Sequence, residues 1–321
     1  MKTIVPVASG KGGVGKTVLT ANLGVSLAQL GKTVIAVDLD LGGSNLHTCL
    51  GVRNNKSGVG QLISKEEPSL ESLIVETQQP RLYFVPGDSL LPGTANLPYF
   101  RKRSILKELD DLVADFVLLD LGSGSSYNVV DFYLSSPAGL MVITPDTTSV
   151  LNAYSFLKTA VFRLLYRSFP PKSREREMIA EFFRQRLEGS DRSLSQLLER
   201  LAEVSPDSEQ TARERIEGFL PRVVLNMARR REDLAVGKRL RSVSGRHLEI
   251  DVRYVGVLAM HEDIGTSIAQ RTPELLLRPD SGFARGIRQI AERLAQSPGG
   301  QYTELFEGDE DLEEAAQQAE L

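Results

Sequence analysis

The sequence predicts an α/β chain built on a doubly wound, mostly parallel sheet with helices on both faces, and three observations predict it. Short apolar runs rich in β-branched residues recur at TIVPVA, TVIAVD, LYFVPG, DFVLLD, LMVITP, RVVLN and RYVGVL. Longer segments with helical apolar spacing separate most of them, an alternation that favours strands buried on both sides by crossover helices. The third observation is the glycine-rich stretch GKGGVGKT over residues 10–17, which follows the first run and opens the first helical segment.

The first run is a strand despite Pro6, which lacks the amide that a central strand ordinarily donates. The helix after the loop, TVLTANLGVSLAQLG, sets Leu19, Leu23 and Leu27 one turn apart and stops at Gly31. Between Pro170 and Pro221 the chain becomes highly charged, and Met178, Phe182 and Phe183, then Leu194, Leu197, Leu198 and Leu201, follow helical spacing. This reads as a helical insertion whose apolar stripes pack on the parent domain rather than forming a dedicated partner surface. One domain is expected over 1–296, with the insertion at about 170–221 and an acidic, disordered tail over 297–321.

Composition narrows the function classes. With 38 Lys+Arg against 42 Asp+Glu the formal net charge is -4, so no overall basic field draws the chain to nucleic acid. The single cysteine, Cys49, supplies neither an internal disulfide nor a cysteine cluster, which points to a reducing compartment, by default the cytoplasm. There is no basic, then long apolar, leader pattern and no run of about 18 apolar residues, so neither secretion nor a membrane span is expected.

Gly10, Gly15, Lys16 and Thr17 complete the phosphate-loop pattern G-x-x-x-x-G-K-[ST] between a strand and a helix. Its glycines let backbone amides turn around phosphate oxygens, and the helix N-terminus adds positive potential. Lys16 suits the β- and γ-phosphates of a nucleotide, and the Thr17 hydroxyl suits magnesium. A second lysine, Lys11, stands at the front of the loop; on spacing alone it is an exposed loop lysine.

KGGVGKT resembles the deviant Walker A loop of the MinD/ParA superfamily of phosphate-loop ATPases. The resemblance implies ATP and Mg2+ as ligands, held by Gly10, Gly12, Gly13, Val14, Gly15, Lys16, Thr17 and Val18. It also implies a nucleotide sandwich homodimer in which Lys11 reaches the partner's ATP and Gly12 marks the closest approach of the two loops. The stretch DLDLGGSNLHTCLG resembles the family's first switch, so that Asp40 would orient the attacking water, Asp38 would lie near the magnesium and Asn45 would belong to the same switch. ADFVLLDLGSG ends an apolar strand at Asp120, the Walker B carboxylate beside magnesium; Gly122 would sense the γ-phosphate, although Leu121–Gly124 replace the common Asp-x-Pro-Ala-Gly continuation. Asn226, at the end of RVVLN, matches an adenine-contacting asparagine. His47 and Cys49 are too few to make a metal site and read as structural.

The resemblance covers about residues 1–165 and 221–296 and is nearest to the branch containing MinD and the flagellar-number regulator FlhG (FleN). It implies a slow, partner-stimulated ATPase switch that controls the positioning, number or assembly of a cellular structure. An activating or recruiting protein would bring it from the cytoplasm to membrane, nucleoid or pole, because the acidic tail is not a membrane-targeting helix. A ParA-like alternative holds non-specific DNA through the cluster Arg229, Arg230, Arg231, Lys238, Arg239, Arg241 and Arg246. A metabolic enzyme on the same frame is a third reading; cluster carriers would need cysteine pairs, and the sequence has none.

Overall fold

The computed structural model describes residues 2–53, 57–64, 67–87, 97–137, 139–187, 193–297 and 308–320. Eight strands form one sheet: β1 (Thr3–Ser9), β2 (Val34–Leu39), β3 (Val75–Glu76), β4 (Leu82–Val85), β5 (Phe116–Ser123), β6 (Leu140–Ile143), β7 (Arg222–Ala228) and β8 (Arg253–Ala259). Their order is β3-β4-β2-β5-β1-β6-β7-β8, parallel throughout except for the short β3 beside β4. The order reverses at β1, which lies between β5 and β6. A crevice therefore opens at the carboxyl ends of these three strands, the place where doubly wound sheets bind ligands. Pro6 is tolerated because pairing with β6 begins only at Val7 and Ala8, so at Pro6 the ladder partner lies on the β5 side alone.

Helices between the strands cover both faces. α1 (Lys16–Gln29) follows β1; α2 (Leu46–Leu50) and α3 (Val59–Ser64) follow β2; α4 (Tyr99–Asp111), α5 (Tyr127–Tyr133) and α6 (Thr147–Ser168) occupy the next crossovers. The charged insertion is α7 (Arg174–Leu187), α8 (Leu194–Val204) and α9 (Pro206–Glu217), after which come α10 (Leu234–Leu248), α11 (Ile264–Ala269), α12 (Glu274–Leu277), α13 (Gly282–Gln296) and α14 (Glu310–Gln318). Alternate strand residues go to opposite layers, as the two-residue period requires. Val5, Val7, Ala36 and Leu118 join Leu19, Leu23 and Leu27 of α1 and Ile287 and Ile290 of α13. Ile35, Val37, Val117 and Leu119 join Ile105, Phe132 and Phe156 on the other face.

The insertion adds to that second layer. Phe182, Phe183, Leu194, Leu197, Leu198 and Leu201 are all buried in its core, so the apolar stripes are consumed by packing. α5 is fixed electrostatically as well: buried Asp131 accepts from Lys102 of α4 and from Arg163 and Arg167 of α6. Those contacts tie α4, which precedes β5, to α5 and α6, which follow it.

The acidic C-terminal segment differs from its expected disorder. Residues 298–307 lie outside the described residues, but α14 is a helix that buries Leu312, Ala315 and Ala316. Local composition pointed the other way because an isolated acidic run repels itself. Its carboxylates are instead neutralised by Arg231, Lys238 and Arg241, cations far away in sequence.

Candidate functional site

The loop from β1 to α1 is shaped for an anion. Gly13 and Gly15 have φ of 78° and 84°, a left-handed backbone that a side chain resists. The first turn of α1 contains no acidic residue and its cap makes no side-chain hydrogen bond, which leaves the N-terminal amides to a ligand. A Cβ at Gly10 would run into the backbone of Asn152 and Ala153 in α6, and one at Gly15 into the Asn226 amide. Gly15→Ala should therefore keep the fold but lose at least about tenfold in nucleotide affinity, the cost of one strained residue; titration with a fluorescent ATP analogue checks it, and unchanged affinity would contradict it.

Beneath the loop the charges are close together. Lys16 Nζ lies 2.7 Å from Asp120 Oδ1, both side chains being buried, and Thr20 also donates to that oxygen at 3.2 Å. Asp120 Oδ2 is buried without a hydrogen-bond partner. Asp38 stands directly across from Asp120 in the β2–β5 register. Burial, and then the charge of Asp120, push the Asp38 carboxyl up to about 7, against hydrogen bonds from Ser44 Oγ at 2.6 Å and the amides of Leu46 and Asp40 at 3.1 Å. Asp38 thus ties the start of α2 to the sheet. Asp40 is half-buried on the outer side, where a Cβ at Gly122 would lie 3.3 Å from its carboxylate; the β2 and β5 loops meet there. Thr17 is half-buried at the loop's end, its hydroxyl 3.5 Å from Lys16 Nζ.

This donor set fits a magnesium nucleotide. A buried ammonium, free helix amides, a hydroxyl and an orphaned carboxylate oxygen together suit a polyphosphate with a hydrated hard cation. β5 remains in strand conformation through Ser123, paired to Ser9, and bends only at Gly124, with φ of 83°. Gly122 is accordingly held in the sheet rather than in a free turn.

Lys11 faces away from that centre. Its ammonium donates to Asp146 Oδ1 at 2.8 Å and Thr148 Oγ1 at 3.1 Å. Asp146 also caps α6 through the Ser149 amide and accepts from Thr144 and Thr148. Partial burial raises its pKa, but these hydrogen bonds outweigh it and hold the carboxyl below the usual range. Sequence reasoning passed over Asp146, although Asp-Thr-Thr-Ser before an apolar helix is an N-cap signature.

Two adjoining cavities extend outward. One of about 590 Å³ is lined by Lys11, Gly12, Gly13, Thr144, Asp146, Met227, Arg229, Arg230 and Met260. The other, about 380 Å³, is more apolar and is lined by Gly15, Val18, Asn226, Met227, Met260, His261, Ile268 and Phe283. Asn226 lines this second cavity, and its Nδ2 donates to Val14 O at 2.8 Å, so it braces the loop with a donor assigned by sequence to the base. Met227 enters both cavities because β7 bulges between Leu225 and Ala228 and Met227 takes φ of 62°. No residue pattern announced that bulge. The single cysteine is chemically quiet: burial, then the Asp120 and Asp38 charges, push the Cys49 thiol up to about 12, leaving it protonated at neutral pH.

A family model described as the CobQ/CobB/MinD/ParA nucleotide binding domain matches residues 5–274. The chain is 33% identical over 159 residues to the flagellum site-determining protein YlxH of Helicobacter pylori, covering 48% of this chain and 52% of that protein. It is 30% identical over 158 residues to the septum site-determining protein MinD of Synechocystis, covering 48% and 57%. The chain thus spans about half the length of the curated relatives it matches. Among solved structures, MinD of Pyrococcus horikoshii complexed with Mg-ADP superposes with a TM-score of 0.63 at 21% identity, over 92% of this chain and 96% of that one. Cobyrinic acid a,c-diamide synthase of Mycobacterium smegmatis, with bound ADP and magnesium, gives 0.60 at 17% identity, over 95% and 100%. At these identities the two structures speak for the fold.

Proposed function

Because the chain belongs to the CobQ/CobB/MinD/ParA nucleotide-binding family, we propose that it is an ATP-driven molecular switch that binds and slowly hydrolyses ATP. In this reading it forms a sandwich homodimer with ATP and controls the positioning, number or assembly of a cellular structure. The observation that carries it is the division of labour between the two lysines of one loop. Lys16 points inward to Asp120, while Lys11 points outward at the rim of the larger cavity, with about a third of its side chain exposed.

Bound in the loop, Mg-ATP would supply the transferable phosphoryl group and neutralise the charge around it. The chain's own residues do the rest. Loop amides and Lys16 hold phosphate oxygens; Thr17 and Asp120, with Asp38 behind them, suit the hydrated cation. Asp40 orients water beside Gly122, and Lys11 leaves Asp146 to reach a second subunit. Partner stimulation fits a fold in which α5, directly after Gly122–Ser126, is pinned to α4 and α6. A cytoplasmic resting pool with recruitment by another protein follows from this reading.

Lys11→Ala should bind ATP as the unaltered chain does and remain monomeric in Mg-ATP. Size exclusion with light scattering in Mg-ADP and in Mg-ATP measures this directly, and a dimer indistinguishable from that of the unaltered chain would remove the trans role. The DNA-holding alternative draws less support, since Arg231, Lys238 and Arg241 of the basic cluster are engaged by α14.

A further inference from the structure

Among the described residues β8 is the last strand on its side of the sheet, with no further strand paired to it. Side chains cover that edge instead. Asp311 accepts from the Tyr254 amide at 2.7 Å, and Arg241 donates to the Val252 carbonyl at 3.1 Å while gripping both oxygens of Asp311 at 2.6 Å. Beside this contact Glu313 receives Arg231 at 2.8 Å and Lys238 at 2.6 Å. Between the charges Leu312 is fully buried in a socket formed by Tyr254 and Gly237; a Cβ at Gly237 would lie 2.9 Å from Leu312 Cδ2. The socket thus depends on glycine at that point of α10.

We propose that this face of α10 and β8 is a receptor for an acidic amphipathic helix, occupied in cis by α14 and open to a helix of the same chemistry on a partner protein. The occupant is specified on the page by charge complementarity and shape. It needs a leucine with carboxylates three residues and one residue before it and one after it, as Asp309, Asp311 and Glu313 stand around Leu312, followed by alanines that keep the helix close.

Two features make the cis helix exchangeable. Its apolar stripe is small, Leu312 with Ala315 and Ala316, and the pairs of Glu313 with Arg231 and Lys238 are partly exposed, a class that is weak and screened by salt. A nucleic acid would meet the cations but has nothing to fill the leucine socket. Exchange also has a route to the nucleotide site. Arg231 follows Arg229 and Arg230 of the larger cavity's wall, so Glu313 restrains that wall from outside.

The test uses the full chain carrying Leu312→Ala with Glu313→Ala, which loosens α14 and leaves the receptor residues intact. The probe is a fluorescein-labelled peptide of residues 308–321, read by anisotropy. The loosened chain should bind it at least about tenfold more tightly than the unaltered chain, the gain expected on removing a competing cis ligand. Rising salt should weaken that binding, and adding Lys238→Glu should abolish it. Failure of the peptide to bind the loosened chain would overturn the proposal, as would equal binding of a scrambled peptide of the same composition or of duplex DNA. Hydrogen exchange on the unaltered chain gives an independent check: α14 amides should exchange well before those of α13, and equal protection would also overturn it.

Discussion

Lys16→Ala should lose at least about a hundredfold in ATP affinity and also unfold at lower temperature, because this lysine serves two partners. One is the phosphate, through a charge-assisted contact in a buried loop, an interaction whose removal costs a few kcal/mol. The other is Asp120, to which the ammonium is bonded at 2.7 Å within the protein. Removing one side of a buried pair strands the other charge, at about 3–5 kcal/mol, and here Asp38 lies immediately opposite Asp120. The two losses separate in a double variant. Asp120→Asn added to Lys16→Ala should recover thermal stability, since no stranded carboxylate remains, while ATP affinity stays low. Calorimetric unfolding and nucleotide titration measure the two readouts independently. A single variant with unaltered affinity would remove the phosphate role, and a double variant no more stable than the single one would remove the charge argument.

Asp40→Ala should lower ATP turnover by at least about a hundredfold, the scale of a positioned general base or water-orienting group, and leave an ATP-bound dimer that persists. The geometry explains why binding should survive. Asp40 is outside the buried Lys16–Asp120–Asp38 group, half-exposed, with its carboxylate close to Gly43 and Gly122. Its loss strands no buried partner. Light scattering in Mg-ATP over hours, beside a phosphate-release assay, tests both halves. A monomer under saturating ATP, with nucleotide binding intact, would contradict the assignment.

The two results also order the loop's lysines. If Lys16→Ala abolishes binding, Lys11→Ala abolishes only dimerisation and Asp40→Ala only turnover, then binding, association and hydrolysis reside in separate side chains. A loss of nucleotide binding in all three would instead mean that the loop acts as one cooperative unit.

Much of the frame was legible in the chain. Strand runs, helix period and the glycine-rich loop are local features: their meaning rests on backbone conformation and on neighbours a few residues away, which a sequence displays. The phosphate loop and the apolar strands that carry Asp38 and Asp120 were readable for that reason, although β5 runs on past Asp120 to Ser123 instead of ending there. The insertion was readable too, because Phe182 and Leu197 follow a helical stripe whatever they pack against.

Tertiary structure decided what depends on distant partners. That Lys11 rests on Asp146, 135 positions away, that Asn226 spends a donor on Val14, and that Met227 turns into the cavities through a bulge are pairings no local pattern carries. The acidic tail makes the same point most plainly. Its composition argues for solvation by self-repulsion, and only the fold brings Arg231, Lys238 and Arg241 against it, turning repulsive charge into the contacts that hold a helix on the sheet edge. The sequence by itself determined a nucleotide-loop α/β chain, since that identity is written in short-range spacing; which charges meet was settled by folding, since Coulomb interactions act between neighbours in space rather than along the chain.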